Sequence, residues 1–428
     1  MILAEERKRP ISALEFEELC KTALSAGQLE NKRILVVIPD STRTAPIPLC
    51  FRTFCNLLLR KVRKLDFLIA LGTHPQMSDL EINKHLEITF VERKTRYKDV
   101  GIFNHVWDSP GELRQIGTIG RDVAERLSGG LMSEEIPVTI NKKIFDYDHL
   151  IIVGPVFPHE VVGFSGGYKY FFPGISGPEM VNWSHWLGAL MTNPRTDGTK
   201  HTPVRELIHR AASFVTIPTH AFCLVMQGKE LHGLYVGNPI EAQDKAADLS
   251  SKLNIEWKER PFHTVLSMAP PMYKDLWTAG KCMYKLEPVV EDGGKLIIYA
   301  PHIQEISFTH GSFLRNVGYH TRDYFLKQWD KFKQYPGAVL AHSTHVRGIG
   351  TYKEGMEKPR ISVILATGIS PGVCKAINLG YMDPKEIDPR DYADREGEGI
   401  LLVKDAGEKL YRLADGSVPD IDNLYKKL

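Results

Sequence analysis

The sequence has few cysteines, almost no net charge and no long apolar run. Its six cysteines are far apart and form no CxxC pair, which argues against a disulfide framework and against a thiolate zinc site. The 54 lysines and arginines nearly balance the 52 aspartates and glutamates, so no overall field points to nucleic acid or to an anionic membrane as a partner. No apolar run approaches the roughly 18 residues of a membrane-spanning helix, and the first ten residues lack the apolar core of a secretion signal. We therefore expect a soluble, cytoplasmic protein.

The composition is that of an ordinary globular chain, with 43% apolar and 25% charged residues. At roughly 150 residues per domain, 428 residues predict two or three domains. Buried-strand patterns at residues 33–39, 65–71 and 149–154 alternate with helical patterns, one of which begins with a capping box at Ser78. This alternation predicts an α/β fold with mostly parallel sheets flanked by helices.

The same alternation starts again after residue 255. The patterns predict strands at residues 263–268, 295–300, 337–341 and 360–365, after a helix at residues 240–253 that the pair Asn238-Pro239 starts. We therefore predict two α/β domains, residues 1–255 and 256–428, with an active-site cleft between them.

The densest run of potentially functional residues is residues 159–169, which is rich in glycine and ends in Lys169. Its glycines permit a tight backbone whose N–H groups can hold a phosphate, and the lysine amine can pair with that phosphate or form a covalent link. A solvated glycine-rich turn is the alternative, but His159 and His185 on either side favour a functional site. The three glycines are Gly163, Gly166 and Gly167.

The same run contains a literal G-x-S-x-G sequence centred on Ser165. A nucleophile elbow needs a strand that runs directly into the serine and a helix that leaves it. Pro158 and Pro173 interrupt both sides, so a serine hydrolase is a disfavoured alternative. A second alternative is a non-catalytic protein that binds a nucleotide or phosphate at the glycine-rich loop.

Two earlier loops follow predicted strands, where α/β sheets expose their catalytic groups. Asp40 and Arg43 follow the first strand, and arginine is the best bidentate partner for a carboxylate or phosphate. His74 follows the second strand and is an acid/base candidate, because imidazole changes its charge near neutral pH. A helix cap, a surface charge and a turn residue are the structural alternatives.

Together, residues 40–43, 72–74 and 159–169 with His185 resemble the signature of the nickel-dependent lactate racemase family. Both the ten-residue spacing from His159 to Lys169 and the sixteen-residue spacing from Lys169 to His185 match. The resemblance implies a 2-hydroxyacid racemase or epimerase whose substrate passes through a planar 2-oxo acid. It also implies a nickel-pincer nucleotide, and therefore the enzymes that make this cofactor as partners.

The resemblance also implies a role for each matching residue. Lys169 would carry the cofactor covalently, and His185 would bind the nickel. His74 and His159 would exchange a proton with the substrate hydroxyl, and Arg43 would hold the substrate carboxylate. Residues 1–255 would form the cofactor-binding domain, and residues 256–428 would contribute substrate contacts. The remaining cofactor contacts are expected from Asp40, Gly163, Ser165, Gly166 and Gly167.

The second half departs from the family pattern at the substrate. Lys281 matches the family lysine, but Thr278 stands where a glutamine is expected and Trp277 where a tyrosine is expected. We therefore expect a reshaped pocket and favour a sugar acid, such as an aldonate epimerised at C2, over lactate. Five further polar residues are expected on loops that could face the cleft. These residues are His302, Glu305, His310, His342 and His345. The pair His342 and His345 lacks a third ligand at recognisable spacing for a metal site, and His105 could be either a structural residue or part of the cleft lining.

Overall fold

The computed structural model describes residues 3–6 and 9–426, so the first ten residues lie partly outside the described part of the chain. Within that part, no helix is long and apolar enough to cross a membrane. The strands are β1 Leu3–Glu6, β2 Arg33–Pro39, β3 Lys64–Ala70, β4 Ile102–Asn104, β5 Leu113–Ile119, β6 Ile136–Asn141, β7 His149–Pro155, β8 Pro158–His159, β9 Gly163–Phe164, β10 Thr219–Gln227, β11 Glu230–Gly237, β12 Ile255–Lys258, β13 Phe262–Met268, β14 Val290–Ala300, β15 Gly350–Lys353, β16 Met356–Pro359, β17 Ser362–Thr367, β18 Gly380–Tyr381, β19 Ile400–Val403 and β20 Leu410–Leu413.

Short 3-10 turns and α-helices connect these strands. The α-helices are α1 Ala13–Ala26, α2 Ile47–Leu58, α3 Asp79–Leu86, α4 Phe90–Lys94, α5 Arg121–Ser128, α6 Pro178–Met191, α7 Asn193–Thr196, α8 Pro203–Ala212, α9 Pro239–Asn254, α10 Leu276–Ala279, α11 Lys281–Tyr284, α12 Gly311–Val317, α13 Arg322–Leu326, α14 Trp329–Phe332, α15 Gly337–Arg347, α16 Pro371–Ala376 and α17 Ile421–Lys426. The capping box predicted at Ser78 is confirmed, since its hydroxyl accepts the Glu81 backbone N–H and the Glu81 carboxylate accepts the Ser78 N–H.

Two large sheets organise the described residues. The first has the strand order β1-β11-β10-β7-β2-β3-β4, and its strands from β10 to β4 are parallel. The second has the order β18-β17-β14-β13-β19 and is parallel throughout. In the centre of the first sheet, residues 34–39 of β2 are all buried, because helices or loops cover both faces. The predicted α/β class with mostly parallel sheets is confirmed, whereas the domain boundary at residue 255 stays a prediction.

One predicted strand is wrong. Residues 337–341 begin the helix α15, which continues through His342 and His345 to Arg347. A short apolar run bounded by turn residues does not distinguish a strand from a buried helix. Because residues 337–346 are all buried, the helix shows no polar face that would have revealed its period. His342 and His345 therefore lie one helical turn apart, and not at the end of a strand.

Helix α15 packs closely on α6, which carries His185. A Cβ atom at Gly337 would lie 2.5 Å from the backbone oxygen of Asn182, so a glycine is needed at this approach. The Asn182 side-chain oxygen also accepts the Ala338 backbone N–H at 3.2 Å. This contact joins a helix of the first half of the chain to a helix of the second half.

The residues after β19 run back across the join between the two sheets. β20 pairs in parallel with β12, the strand that leads from the first sheet to the second. The Glu408 carboxylate accepts a hydrogen bond of 2.5 Å from the Thr44 hydroxyl, and the Arg412 guanidinium donates to the backbone oxygen of Asp197. We call residues 404–413 the C-terminal strap.

Candidate active site

A cavity of about 140 Å³ lies at the carboxyl ends of β2, β3 and β7 and is closed by residues of the second half. This is the position at which parallel α/β sheets bind their ligands. Nine of the twelve site residues expected from the sequence line it, and the three glycines do not. The nine are Asp40, Arg43, His74, His159, Ser165, Lys169, His185, Thr278 and Lys281.

His74 is held by a carboxylate on the neighbouring strand. Its Nδ1 atom lies 2.5 Å from Oδ2 of Asp40, the residue directly after β2. Burial alone would raise the pKa of Asp40, but the neighbouring His74 and Arg43 and a hydrogen bond from Thr42 hold it well below its usual range. Asp40 is therefore an anion that only accepts hydrogen bonds. The sequence identified both residues but not their pairing.

The surroundings of His159 are different. The backbone N–H of Val161 donates to its Nδ1 atom at 3.1 Å, and the Glu160 carboxylate lies 3.3 Å from the same atom. Burial lowers the pKa of His159 well below its usual value, so the ring is neutral near pH 7. The short strands β8 and β9 form a hairpin that presents this ring to the cavity.

Arg43 and Lys169 bring a guanidinium and an amine to the cavity. Neither side chain makes a hydrogen bond or an ion pair with another residue in the described part of the chain, and both line the cavity. Burial and the nearby charge of Arg43 lower the pKa of Lys169 to about 7, although Glu160 opposes this shift. A large fraction of the Lys169 amine is therefore neutral and nucleophilic at neutral pH.

The glycine-rich loop is fixed by contacts on the side that faces away from the cavity. A Cβ atom at Gly163, whose φ is +85°, would lie 1.8 Å from the backbone oxygen of Thr199. The Arg205 guanidinium donates to the backbone oxygens of Phe164 and Gly166 and fixes the loop against α8. The glycines thus serve close backbone packing, and the phosphate contact expected of them stays a prediction.

Ser165 does not have the surroundings of a hydrolase nucleophile. Its hydroxyl donates to the Pro155 backbone oxygen at 2.8 Å and accepts the Phe157 N–H at 2.8 Å. Both bonds tie the hydroxyl to the backbone, and no imidazole lies within hydrogen-bond distance of it among the described residues. These contacts argue against the serine hydrolase alternative.

His185 has the arrangement of a single metal ligand. It lies on α6, and its Nδ1 atom is 2.6 Å from the backbone oxygen of Val181, to which it donates. This bond leaves the lone pair on Nε2, as is usual for metal-binding imidazoles. Burial lowers the pKa of His185 to about 4, so the ring is neutral and able to bind a metal at neutral pH. Within residues 3–6 and 9–426, no cluster of three or more ligating side chains forms a complete metal site.

The second half closes the cavity with Lys281, Trp277 and the two histidines of α15. Burial and the charge of Arg43 lower the pKa of Lys281 to about 7, and its amine lies 5.0 Å from the centre of the Tyr273 ring. His342 stacks on Trp277 with ring centroids 4.1 Å apart, and its Nε2 is 2.9 Å from the Trp277 backbone oxygen.

The hydroxyl of Thr278 serves the start of α10. It donates to Asp275, whose carboxylate also accepts the Thr278 N–H. Thr278 lines the cavity, but its hydroxyl is already used in this cap. Its expected substrate contact stays a prediction.

Glu160 and Tyr284 also line the cavity, although the sequence analysis did not single them out. Glu160 follows His159 directly in the dense motif, so a carboxylate beside an acid/base histidine was a signal that could have been used. Tyr284 is buried at the end of α11, and burial raises its pKa well above the usual value. Its isolated position in the sequence carries no functional signal.

Four other polar residues lie outside the cavity lining. His302 Nε2 is bonded to the Tyr273 backbone oxygen at 3.0 Å, and Glu305 is half-exposed and 3.7 Å from Arg315. His105 is buried between Asn141 and the Ser176 backbone oxygen, which are structural contacts. His310 packs behind the lining, with its ring centroid 4.5 Å from that of Trp277.

Comparison with known proteins assigns this site to a family. A sequence model of the lactate racemase N-terminal domain matches residues 8–197, which include Asp40, His74, His159, Lys169 and His185. The match to this domain and the similarity to two curated lactate racemases support the lactate racemase family for this chain. The resemblance inferred from the sequence motifs is thereby confirmed.

Two curated lactate racemases are distant relatives within this family. The enzyme from Thermoanaerobacterium thermosaccharolyticum is 24% identical over 279 residues, which cover 63% of this chain and 60% of that protein. The enzyme from Lactiplantibacillus plantarum is 24% identical over 301 residues, which cover 68% of this chain and 63% of that protein. The matched region is thus less than two thirds of the length of either lactate racemase.

Two solved structures share the fold over nearly the whole chain. A crystal structure of a protein from Thermotoga maritima is 34% identical, with a TM-score of 0.87, and covers 95% of this chain and 99% of its own. The lactate racemase apoprotein from T. thermosaccharolyticum has a TM-score of 0.70 at 19% identity and covers 96% of this chain and 94% of its own. The arrangement of both large sheets is therefore shared with these proteins.

Proposed function

We propose that this protein is a racemase or epimerase that inverts the alpha carbon of a 2-hydroxy acid. The observation that carries the proposal is that two imidazoles, His74 and His159, meet in one cavity with the Arg43 guanidinium, which forms no ion pair with any of the described residues. Inversion of a stereocentre needs proton-exchanging groups that reach the substrate from two sides, and a 2-hydroxy acid brings a carboxylate for the guanidinium. The family membership supports the same reaction class.

The site residues also fit a nickel-pincer nucleotide. Lys169 offers an unpaired amine with a pKa of about 7 for the covalent link, and His185 offers one free imidazole nitrogen for nickel. Imidazole is a suitable ligand for nickel. When bound, this cofactor supplies the acceptor and donor for the hydride of the alpha carbon, which avoids a carbanion beside a carboxylate.

The chain itself binds the substrate and moves its hydroxyl proton. Arg43 binds the carboxylate through two parallel hydrogen bonds and fixes the alpha carbon in the cavity. His74, backed by Asp40, accepts the hydroxyl proton as the 2-oxo acid forms, and the imidazolium is stabilised by that carboxylate. His159 exchanges the proton when the opposite face reacts. Lys281 adds an amine near the carboxylate, and this amine is partly protonated at neutral pH because its pKa is about 7.

For the substrate, we propose a sugar acid, such as an aldonate epimerised at C2, in preference to lactate. Two imidazole nitrogens of the lining, Nδ1 of His342 and Nε2 of His345, are buried without a hydrogen-bond partner in the described part of the chain. Each polar group that a methyl substituent leaves unpaired costs about 1–3 kcal/mol. A substrate with several hydroxyls would pair these nitrogens and the Glu160 carboxylate.

The test is turnover by protein co-expressed with the cofactor-making enzymes. A substrate deuterated at the alpha carbon is expected to show a primary isotope effect and to retain label in the inverted product, because the hydride does not exchange with water. Arg43→Met is expected to raise KM strongly. Complete loss of the label to solvent would refute the hydride route, and absence of inversion with every 2-hydroxy acid would refute the proposed activity.

Comparison of lactate, malate and gluconate tests the substrate separately. We expect kcat/KM to be highest for gluconate, and His345→Phe to reduce this preference. A clear preference for lactate would end the sugar-acid proposal. The cytoplasmic location and the absence of nucleic-acid and membrane partners stay predictions of the sequence.

A further inference from the structure

We propose that Asp40 is a positioning residue that fixes the tautomer of His74, and that it serves this imidazole and not the cofactor. The sequence motif suggested a cofactor contact for Asp40. The kinetic consequence of the new role rests on the proposed function, whereas its structural consequence is measurable in the protein without cofactor.

Both oxygens of the Asp40 carboxylate are occupied within the protein. Oδ2 lies 2.5 Å from His74 Nδ1, while Oδ1 accepts the Thr42 hydroxyl at 2.6 Å and the Thr42 backbone N–H at 3.2 Å. The residue is only 5% exposed. The two Thr42 bonds fix the rotation of the carboxylate and so aim Oδ2 at the imidazole.

This geometry determines which nitrogen of His74 carries the hydrogen. The pKa of Asp40 is held well below its usual range, so the carboxylate only accepts and Nδ1 must donate. The lone pair is then on Nε2, which makes no hydrogen bond with another described residue while the ring lines the cavity. An imidazole fixed in this way is a proton acceptor toward the substrate.

The neutral ring of His159 has the other tautomer. Its Nδ1 accepts the Val161 N–H, so the hydrogen of the neutral ring is on Nε2. The two imidazoles of the cavity therefore differ before any substrate binds: His74 offers a lone pair, whereas His159 offers an N–H and must change its tautomer before it can accept a proton from the opposite face. In the forward step, the hydroxyl O–H bond of the substrate breaks and an N–H bond forms at Nε2 of His74, whose positive charge then faces Asp40.

The substitution Asp40→Asn tests the role without a change of shape. The two Thr42 donors require an oxygen at the Oδ1 position, so the amide nitrogen of the asparagine must face His74. An amide N–H there forces Nδ1 to accept, which moves the hydrogen to Nε2 and removes the lone pair from the cavity. The comparable change in serine proteases reduces kcat by about 10⁴ through the wrong tautomer.

The first measurement is ¹⁵N NMR of histidine-labelled protein without cofactor, with His74 among the 16 histidines assigned by comparison with His74→Gln. We expect the Nδ1–H tautomer in the wild type and the Nε2–H tautomer in Asp40→Asn. Asp148→Asn, which alters an exposed pair with Arg33 at the other end of the sheet, is the matched control and should leave the His74 signals unchanged. An Nε2–H tautomer in the wild type would overturn the proposal, even if the variant failed to fold.

The second measurement separates positioning from cofactor binding. In loaded enzyme, Asp40→Asn should lower kcat roughly a hundredfold or more, with KM and the mass increment on Lys169 unchanged. A lost mass increment with an unchanged His74 tautomer would make Asp40 a cofactor contact and overturn the proposal. If no 2-hydroxy acid is turned over by the wild type, the proposed function fails while the tautomer result still decides the role of Asp40.

Discussion

The reactivity of Lys169 should follow a pH midpoint near 7. An ordinary lysine has a pKa of about 10.4, so only about 0.04% of its amine is neutral at pH 7. Burial and Arg43 lower the pKa of Lys169 to about 7, which makes about half of the amine neutral and raises the reactive fraction about a thousandfold. Because the pKa is lowered, the neutral form is present above pH 7 and is lost as the pH falls below it.

The assay is trace labelling of cofactor-free protein with acetic anhydride between pH 5 and 11, with each modified lysine quantified by peptide mass spectrometry. Labelling of Lys169 should level off above about pH 8. Lys200 is the internal control: burial opposes ionisation there, but its bonds to Asp248 and Asp244 raise its pKa, so its labelling should rise only at high pH. Arg43→Met removes the main neighbouring cation and should move the Lys169 midpoint upward. A Lys169 profile that coincides with that of Lys200 would refute the reasoning.

Three further predictions concern single substitutions. His185→Ala should keep the mass increment on Lys169 but lose nickel in metal analysis of loaded protein; equal nickel content in variant and wild type would remove His185 as ligand. Gly163→Ala should lower the free energy of unfolding in urea far more than Gly72→Ala. Both glycines have a positive φ, which costs an alanine about 1–2 kcal/mol, but only at Gly163 would the added Cβ lie 1.8 Å from a backbone oxygen. Similar losses of stability in the two variants would contradict this. Lys285→Met should cost about 3–5 kcal/mol, since it leaves Asp197 buried and unpaired, whereas the exposed Arg126→Ala should cost less than about 1 kcal/mol.

Much of the first sheet follows from the sequence, because its central strands are almost entirely buried apolar runs bounded by turn residues. Residues 33–39 and 149–154 are of this kind, and each was predicted almost to its ends. Helix α15 was predicted as a strand because its residues 337–346 are buried on every side and show neither period. Burial by neighbouring elements is a tertiary property that local pattern does not contain.

For the site, the sequence predicted which side chains lie at strand ends, but it did not predict which of them contact each other. His74 and Asp40 were each identified at the end of a strand, yet their bond depends on the parallel register of β2 and β3. The expected cleft positions of His302 and Glu305 were wrong as cavity-lining residues, because the loop after β14 turns them toward Tyr273 and Arg315. Glu160 was overlooked although it stood beside His159.

The C-terminal strap makes the two halves depend on each other for stability. Glu408 and Arg412 bond to residues of the first half, while β20 completes a ribbon with the strand that joins the sheets, and one hydrophobic core runs through both halves. If either half unfolded, the other half would therefore lose hydrogen bonds and apolar contacts. Two sheets linked by one flexible connection would melt separately, whereas for this arrangement we expect a single calorimetric transition in which both halves unfold together.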